Sequence, residues 1–117
     1  MRYFDYWEFD SPDKKDTGKL MNDTLLSMLD EARHIANIPF KINSGYRTTK
    51  RNMQVGGKIN SSHLKGLAVD ISVTDSRSRW IILSALMQVG FTRVGVGKSF
   101  IHCDTDDTKS PKVVWLY

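Results

Sequence analysis

Between Lys19 and Ala36 the apolar residues Met21, Leu25, Met28, Leu29, Ala32, Ile35 and Ala36 recur every three or four positions. That period lays one apolar stripe along a helix, and Asn37 and Pro39 stop it. His34 falls at the edge of the stripe and reads as a surface histidine. The next stretch, "PFKINSGYR", alternates Phe40 and Ile42 with polar neighbours and ends at Ser44-Gly45, which predicts a short strand. Thr48 is placed to cap a short helix running to about Val55, and "VGGKINSS" follows as an aperiodic loop. A further helix is expected from near Asp75 to Val89, with Trp80, Ile82, Leu83, Leu86, Met87 and Val89 as its apolar residues and Gly90 as its stop. "LAVDISV", "TRVGV", "SFIHCDT" and "KVVWLY" complete the set as strands, and "SPDKKDTG" near the start is a loop.

The late strands are joined by connections too short for a crossover, so they are expected to pair antiparallel. The whole reads as one α+β domain over residues 1–117, a small antiparallel sheet with helices packed on one face. Composition adds limits. Residues 1–117 suffice for one core but not two, and no apolar run approaches the roughly 20 residues of a membrane span. The start, "MRYFDYWEFDSPD", lacks the basic and apolar regions of a secretory signal, so synthesis in the cytoplasm is expected. The single cysteine, Cys103, excludes an internal disulfide and a multi-cysteine zinc site. The net charge of +4 favours an anionic partner, but the basic residues are dispersed, which fits a solvated surface and not a nucleic-acid face.

Two strands carry polar residues with a period of two. In "LAVDISV" Leu67, Val69, Ile71 and Val73 share one face, and Ala68, Asp70 and Ser72 the other. In "FIHCDT" His102 and Asp104 face away from Ile101 and Cys103. If the two strands are neighbours, Asp70, His102 and Asp104 converge. His63 precedes Asp70 by seven residues; on one helix the two would be about 10 Å apart, too far to share a metal. A loop folding back at Gly66 would bring them together. Two histidines and a carboxylate form the ligand pattern of a catalytic zinc site with one position open. Spacing alone leaves a second reading open, a loop histidine near a hydrogen-bonded strand aspartate.

The stretches "SGYRT" at 44–48, "VGGKINSSHLKGLAVDI" at 55–71 and "GVGKSFIHCDT" at 95–105, with a tryptophan near the end, resemble the M15 family of zinc peptidases. That group comprises D-Ala-D-Ala carboxypeptidases and peptidoglycan endopeptidases and shares its fold with the Hedgehog signalling domain. The pattern Ser-x-His-x-x-Gly-x-Ala-x-Asp is complete as Ser61, His63, Gly66, Ala68 and Asp70, and the later His-x-Asp is His102 and Asp104. "EFDSPD" followed by a "LDEAR" helix is similar to small phage and prophage members.

The resemblance implies Zn2+ held by His63, Asp70 and His102. It implies Arg47 as the clamp on a substrate carboxylate, Ser61 as a hydrogen-bond donor to the peptide, and Tyr46 and Trp115 at the cleft wall. Several branches carry an acid three residues before the last histidine, where this chain has Ser99. Asp104 is the candidate for the general base in its place, with orientation of His102 as the other role open to it; Asp106 and Asp107 are weaker candidates. The implied activity is zinc-dependent hydrolysis of cell-wall peptides containing D-amino acids, by a monomer reaching the wall through phage lysis or virion delivery. Two other classes stay open: an inactive metal-binding module of the Hedgehog type, and a virion structural module.

Overall fold

The computed structural model describes residues 1–117. Helices α1 (Asp23–Ala36), α2 (Thr49–Gln54) and α3 (Ser76–Gln88) alternate with strands β1 (Ile42–Ser44) and β2 (Ala68–Ser72), and strands β3 (Arg93–Val96), β4 (Phe100–Asp104) and β5 (Val113–Leu116) follow in succession. Single 3-10 turns occupy Tyr6–Phe9, Thr17–Leu20 and Ser62–Lys65. The three helices start where short polar side chains can take orphan N–H groups. Asn22 accepts from Leu25, Thr48 from Arg51 and Asp75 from Ser78. Asn37 closes α1 in the left-handed conformation, with φ 56. Helix α1 begins four residues later than its apolar stripe, because Lys19 and Leu20 lie in a 3-10 turn; Met21 is buried nonetheless.

The fold is α+β, with the sheet order β1-β2-β4-β3-β5. The pairs β1/β2, β2/β4 and β4/β3 are antiparallel, but β5 runs parallel to β3. The expectation of antiparallel pairing therefore needs correction at the last strand. β4 has already reversed the chain, so residues 105–112 need only pass the end of β3 to deliver β5 in its direction. No helical crossover is required for this parallel pair.

One sheet face carries Val69, Ile71, Val94, Ile101 and Cys103, all buried against Leu25, Leu26 and Leu29 of α1 and Ile82 and Leu86 of α3. The expected apolar face of α3 needs correction too. Trp80 and Met87 are 71% and 48% exposed, while Ile82, Ala85 and Leu86 are buried. Trp80 and Met87 are seven residues apart and share a stripe about half a turn away from Ile82.

The N-terminal segment is part of the core. Phe4 and Phe9 are buried, with the Phe4 ring 5.4 Å from that of Phe9 and 6.5 Å from that of Phe40. Phe9 in turn fixes the chain after β1. Its carbonyl accepts the Tyr46 N–H at 2.9 Å, and a Cβ on Gly45 would sit 2.8 Å from its backbone. Arg47 is thereby held at the edge of the other sheet face.

Asp30 of α1 ties down the first residues. Its carboxylate accepts the backbone N–H of Arg2 and of Tyr3 at 3.0–3.1 Å and the Arg2 guanidinium at 3.2 Å. Burial alone would raise its pKa, but these donors outweigh burial and hold the carboxyl below its ordinary value. A depressed folded-state pKa stabilises fully above the unfolded value, about pH 4, and the gain disappears as pH falls through the folded one. Asp30→Asn should therefore lower stability at neutral pH by about 1–3 kcal/mol. Chemical denaturation at pH 7 and pH 3 checks this: the gap between variant and parent should shrink at the acid end.

Candidate metal centre

The face of the sheet opposite the helices is polar, and the β2/β4 register builds it. Asp70 stands opposite His102, and Ala68 opposite Asp104. The His102 Nδ1 lies 3.0 Å from Asp70 Oδ1, and its Nε2 lies 2.7 Å from Asp104 Oδ2.

His63 arrives from the 3-10 turn Ser62–Lys65, which ends at Gly66 in the left-handed conformation, φ +69. A Cβ there would approach the Leu20 carbonyl oxygen to 2.5 Å, so glycine is needed for both reasons. The turn places His63 Nε2 3.4 Å from Asp70 Oδ1, and the two imidazole centroids are 5.3 Å apart. His63, Asp70 and His102 each offer a ligand atom within 4.8 Å of the others.

Hydrogen-bond chemistry sets which nitrogens are free. His63 Nδ1 lies 2.8 Å from the Gly45 carbonyl, which can only accept, so Nδ1 carries a proton and Nε2 is the nitrogen left to face a metal. His102 Nε2 faces the Asp104 carboxylate, which likewise assigns it an N–H and leaves Nδ1, on the Asp70 side, as the nitrogen that would ligate. His63 Nε2 and His102 Nδ1 thus both point at Asp70 Oδ1, to which they donate when protonated and beside which they would offer lone pairs to a metal. Metal–ligand distances of about 2 Å require donor atoms roughly 3–4 Å apart, so small side-chain rotations suffice. The residues fit a divalent metal.

Charge balance around the three is close. Burial would raise the Asp70 pKa, but hydrogen bonds from His102 and His63 outweigh it and hold the carboxyl well below the ordinary range. Burial would lower that of His102, and the carboxylates of Asp104 and Asp70 overcome it and raise it. Arg47 gives Asp70 Oδ2 a 3.2 Å ion pair and is braced by Ser44 Oγ at 3.0 Å and Asn52 Oδ1 at 3.3 Å. Its burial lowers its pKa against the opposing pull of Asp70.

Asp104, the expected base, is 2% exposed with both oxygens engaged. Oδ2 faces His102; Oδ1 accepts from Arg93 Nε at 2.8 Å and from the Asp106 N–H at 3.1 Å. Arg93 is sandwiched in turn, its guanidinium 5.0 Å from the Trp115 ring. Sequence reasoning passed over Arg93, although the alternation in "TRVGV" puts it opposite Val94 and so on the polar face.

A cleft of about 840 Å³ opens over this centre. Its lining includes Arg47, Ser61, Arg93, Lys109, Trp115 and Tyr117, and its only carboxylates are Asp70 and Asp104. Ser61 Oγ accepts the His63 N–H at 3.3 Å. Tyr46, expected at the cleft wall as a substrate-side residue, packs against the core and does not line the cleft. Ser99 does not line it either. Asp107 is exposed.

Asp106, buried, joins the two loops that wall the cleft. Its carboxylate accepts from Ser62 Oγ at 2.7 Å, Thr108 Oγ1 at 2.6 Å and Lys65 Nζ at 3.2 Å. Lys109 Nζ adds bonds of 2.8 Å to Ser62 Oγ and the Asn60 carbonyl. Burial is outweighed by these donors, which keep its pKa well below the usual value.

Residues 3–104 match the sequence model of the family described as Peptidase M15. No curated protein matches the chain.

Asp106→Ala should strip the clasp of its acceptor and take that partner from Ser62, Thr108 and Lys65. The expected loss is about 1–3 kcal/mol, read as a Tm lower by several degrees. An unchanged Tm would show that the two loops are held by other contacts.

Proposed function

The chain belongs to the peptidase M15 family, and from that premise we propose that it is a zinc-dependent peptidase hydrolysing bacterial cell-wall peptides that contain D-amino acids. The observation that carries this is the convergence of His63 Nε2, Asp70 and His102 Nδ1, with both histidines held in the ligating tautomer from behind.

Zinc held there supplies a Lewis acid and an activated nucleophile at neutral pH. The chain's own residues supply the rest. Arg47, half-buried and braced by Ser44 and Asn52, presents a planar cation to a substrate carboxylate. Asp104 holds the proton on His102 Nε2, which fixes the ring and strengthens Nδ1 as a ligand. Trp115 covers one side of His102, with ring centroids 5.4 Å apart, and keeps water from that flank. Ser61 lies on the cleft wall within reach of a bound peptide. A cleft lined by Arg47, Lys58, Arg93 and Lys109 against two carboxylates favours an anionic substrate.

A second reading, a metal-holding module without turnover, is favoured by one observation: both carboxylates bordering the cleft are already bonded. Incubating the zinc-loaded protein with peptidoglycan and identifying released fragments by mass spectrometry decides between them. Fragments with newly freed peptide termini are expected; none at any enzyme concentration would leave only the binding role.

Three substitutions test the assignments. His63→Ala should reduce zinc from about one per chain to near none by metal analysis, because two protein ligands rarely retain the ion. Arg47→Ala should keep the zinc but lower kcat/KM by about tenfold to a hundredfold, with Arg47→Lys only partly restored. Asp104→Asn should weaken zinc affinity by about 10–100-fold while activity recovers in excess zinc. A kcat lowered by about 10²–10⁴ at saturating zinc would instead make Asp104 the proton carrier.

A further inference from the structure

Alternation along β5 and the residue after it turns Val113, Trp115 and Tyr117 to the cleft. Strand β3 lies between β5 and β4, and there it presents Gly95, paired with His102 on one side and Trp115 on the other. A Cβ at Gly95 would sit 2.6 Å from the Trp115 indole and 2.7 Å from the Tyr117 ring. The missing side chain thus lets both rings fold across β3 toward the candidate metal centre. Trp115 reaches His102, and Tyr117 packs on Phe100 of β4, with ring centroids 5.4 and 4.8 Å apart respectively. The Tyr117 backbone is fixed as well, its N–H donating to the Val96 carbonyl at 3.1 Å.

The phenol is a donor in a place where most others are committed. Arg47 is paired with Asp70, Arg93 with Asp104 and the Ser110 carbonyl, and Lys109 with Ser62 and the Asn60 carbonyl. The carboxylates of the cleft, Asp70 and Asp104, are engaged in turn by these arginines and the two histidines, so neither is open to take the phenol's proton. A phenol titrates near pH 10 and keeps that proton at neutral pH. Its ring is 67% exposed, on the cleft side of the sheet, where a bound peptide can meet it.

We propose that the Tyr117 phenol donates a hydrogen bond to the carbonyl oxygen of the scissile peptide bond as that oxygen gains negative charge. The proposal rests on the peptidase reading above and adds a catalytic residue to it. When the oxygen of water bonds to the carbonyl carbon, the π pair moves onto the carbonyl oxygen. The phenol donates to that oxygen without giving up its proton. The carbonyl then re-forms, the C–N bond breaks, and the proton shed by the water ends on the leaving amine. A donor aimed at charge that exists only in the transition state raises kcat and leaves substrate binding alone.

Tyr117→Phe removes the hydroxyl and keeps the ring that packs on Phe100 and Gly95, so zinc content and Tm should match the parent. With the zinc-loaded proteins and purified peptidoglycan, the maximal rate of fragment release should fall by about 10²–10³, with the half-saturating concentration unchanged. The second readout is calorimetric binding of an alanine pseudo-dipeptide whose amide is replaced by a phosphinate, a tetrahedral anion that imitates the charged oxygen. Tyr117→Phe should bind it about tenfold to a hundredfold more weakly than the parent. A variant with the parent's maximal rate overturns the proposal, and so does equal binding of the phosphinate, or none by either protein. If the parent releases no fragments, the peptidase reading fails on its own account and the phosphinate comparison alone decides. Weaker binding by Tyr117→Phe then supports the phenol as an oxyanion donor, and equal binding overturns it.

Discussion

The carboxylate of Asp70 is the constraint around which this face of the sheet is arranged. A charge taken that far out of water is costly unless opposite charges and hydrogen-bond donors surround it. Here the compensation comes from three separate segments: Arg47 after β1, His63 from the turn before β2, and His102 from β4. The first two contacts pin segments that lie outside the sheet ladder, whereas His102 sits within β4, paired with β2 and β3, and supplies the fixed side. The cleft walls are therefore fixed by the same interactions that gather the candidate metal ligands.

Behind these contacts stands a second layer that does not face the cleft centre. The Gly45 carbonyl, Asp104 with Arg93 and Trp115, and Asn52 each bond the far side of a functional group. A histidine with one nitrogen committed has only one lone pair and one orientation to offer, so the outer layer converts flexible rings into fixed donors. Gly45 shows how far this dependence reaches. Its carbonyl orients His63 while its missing side chain lets Phe9 press against the backbone, so the N-terminal aromatic segment helps to set a candidate ligand.

Much of this was legible in the sequence, for reasons particular to each element. Strict alternation in β2 and β4 separated Asp70, His102 and Asp104 from the core, because a half-buried strand has no other way to sort its residues. Gly66 announced the bend that returns His63. The partners across strands were not legible: nothing local says that β2 pairs with β4, or that β5 crosses to the far side of β3 and runs parallel to it. Trp80 failed for a different reason. Its hydrophobicity suggested core, but seven-residue spacing with Met87 joins it to a second, solvent-facing stripe. The N-terminal "SPDKKDTG" read correctly as irregular, yet irregular backbone concealed the burial of Phe4 and Phe9 beside it.

The role of Asp104 is the point at which composition and geometry part. By residue type it is the natural replacement for the acid missing at Ser99, being a carboxylate on the same strand face as a ligand. Its surroundings argue otherwise. An efficient general base has a pKa near the working pH and a lone pair within reach of the proton it takes. Asp104 has three donors on two oxygens, and although burial pulls its pKa upward, His102, the Asp106 N–H and Arg93 together hold it below the ordinary value. To accept a proton it would have to release Arg93 or His102, and either loss exposes a buried cation. The same features suit a residue whose work is to keep one proton on His102 Nε2. Under the proposed peptidase reading, a chain that has Ser99 and commits Asp104 in this way would draw its proton acceptor from the substrate, from solvent or from a group that enters the cleft with the peptide.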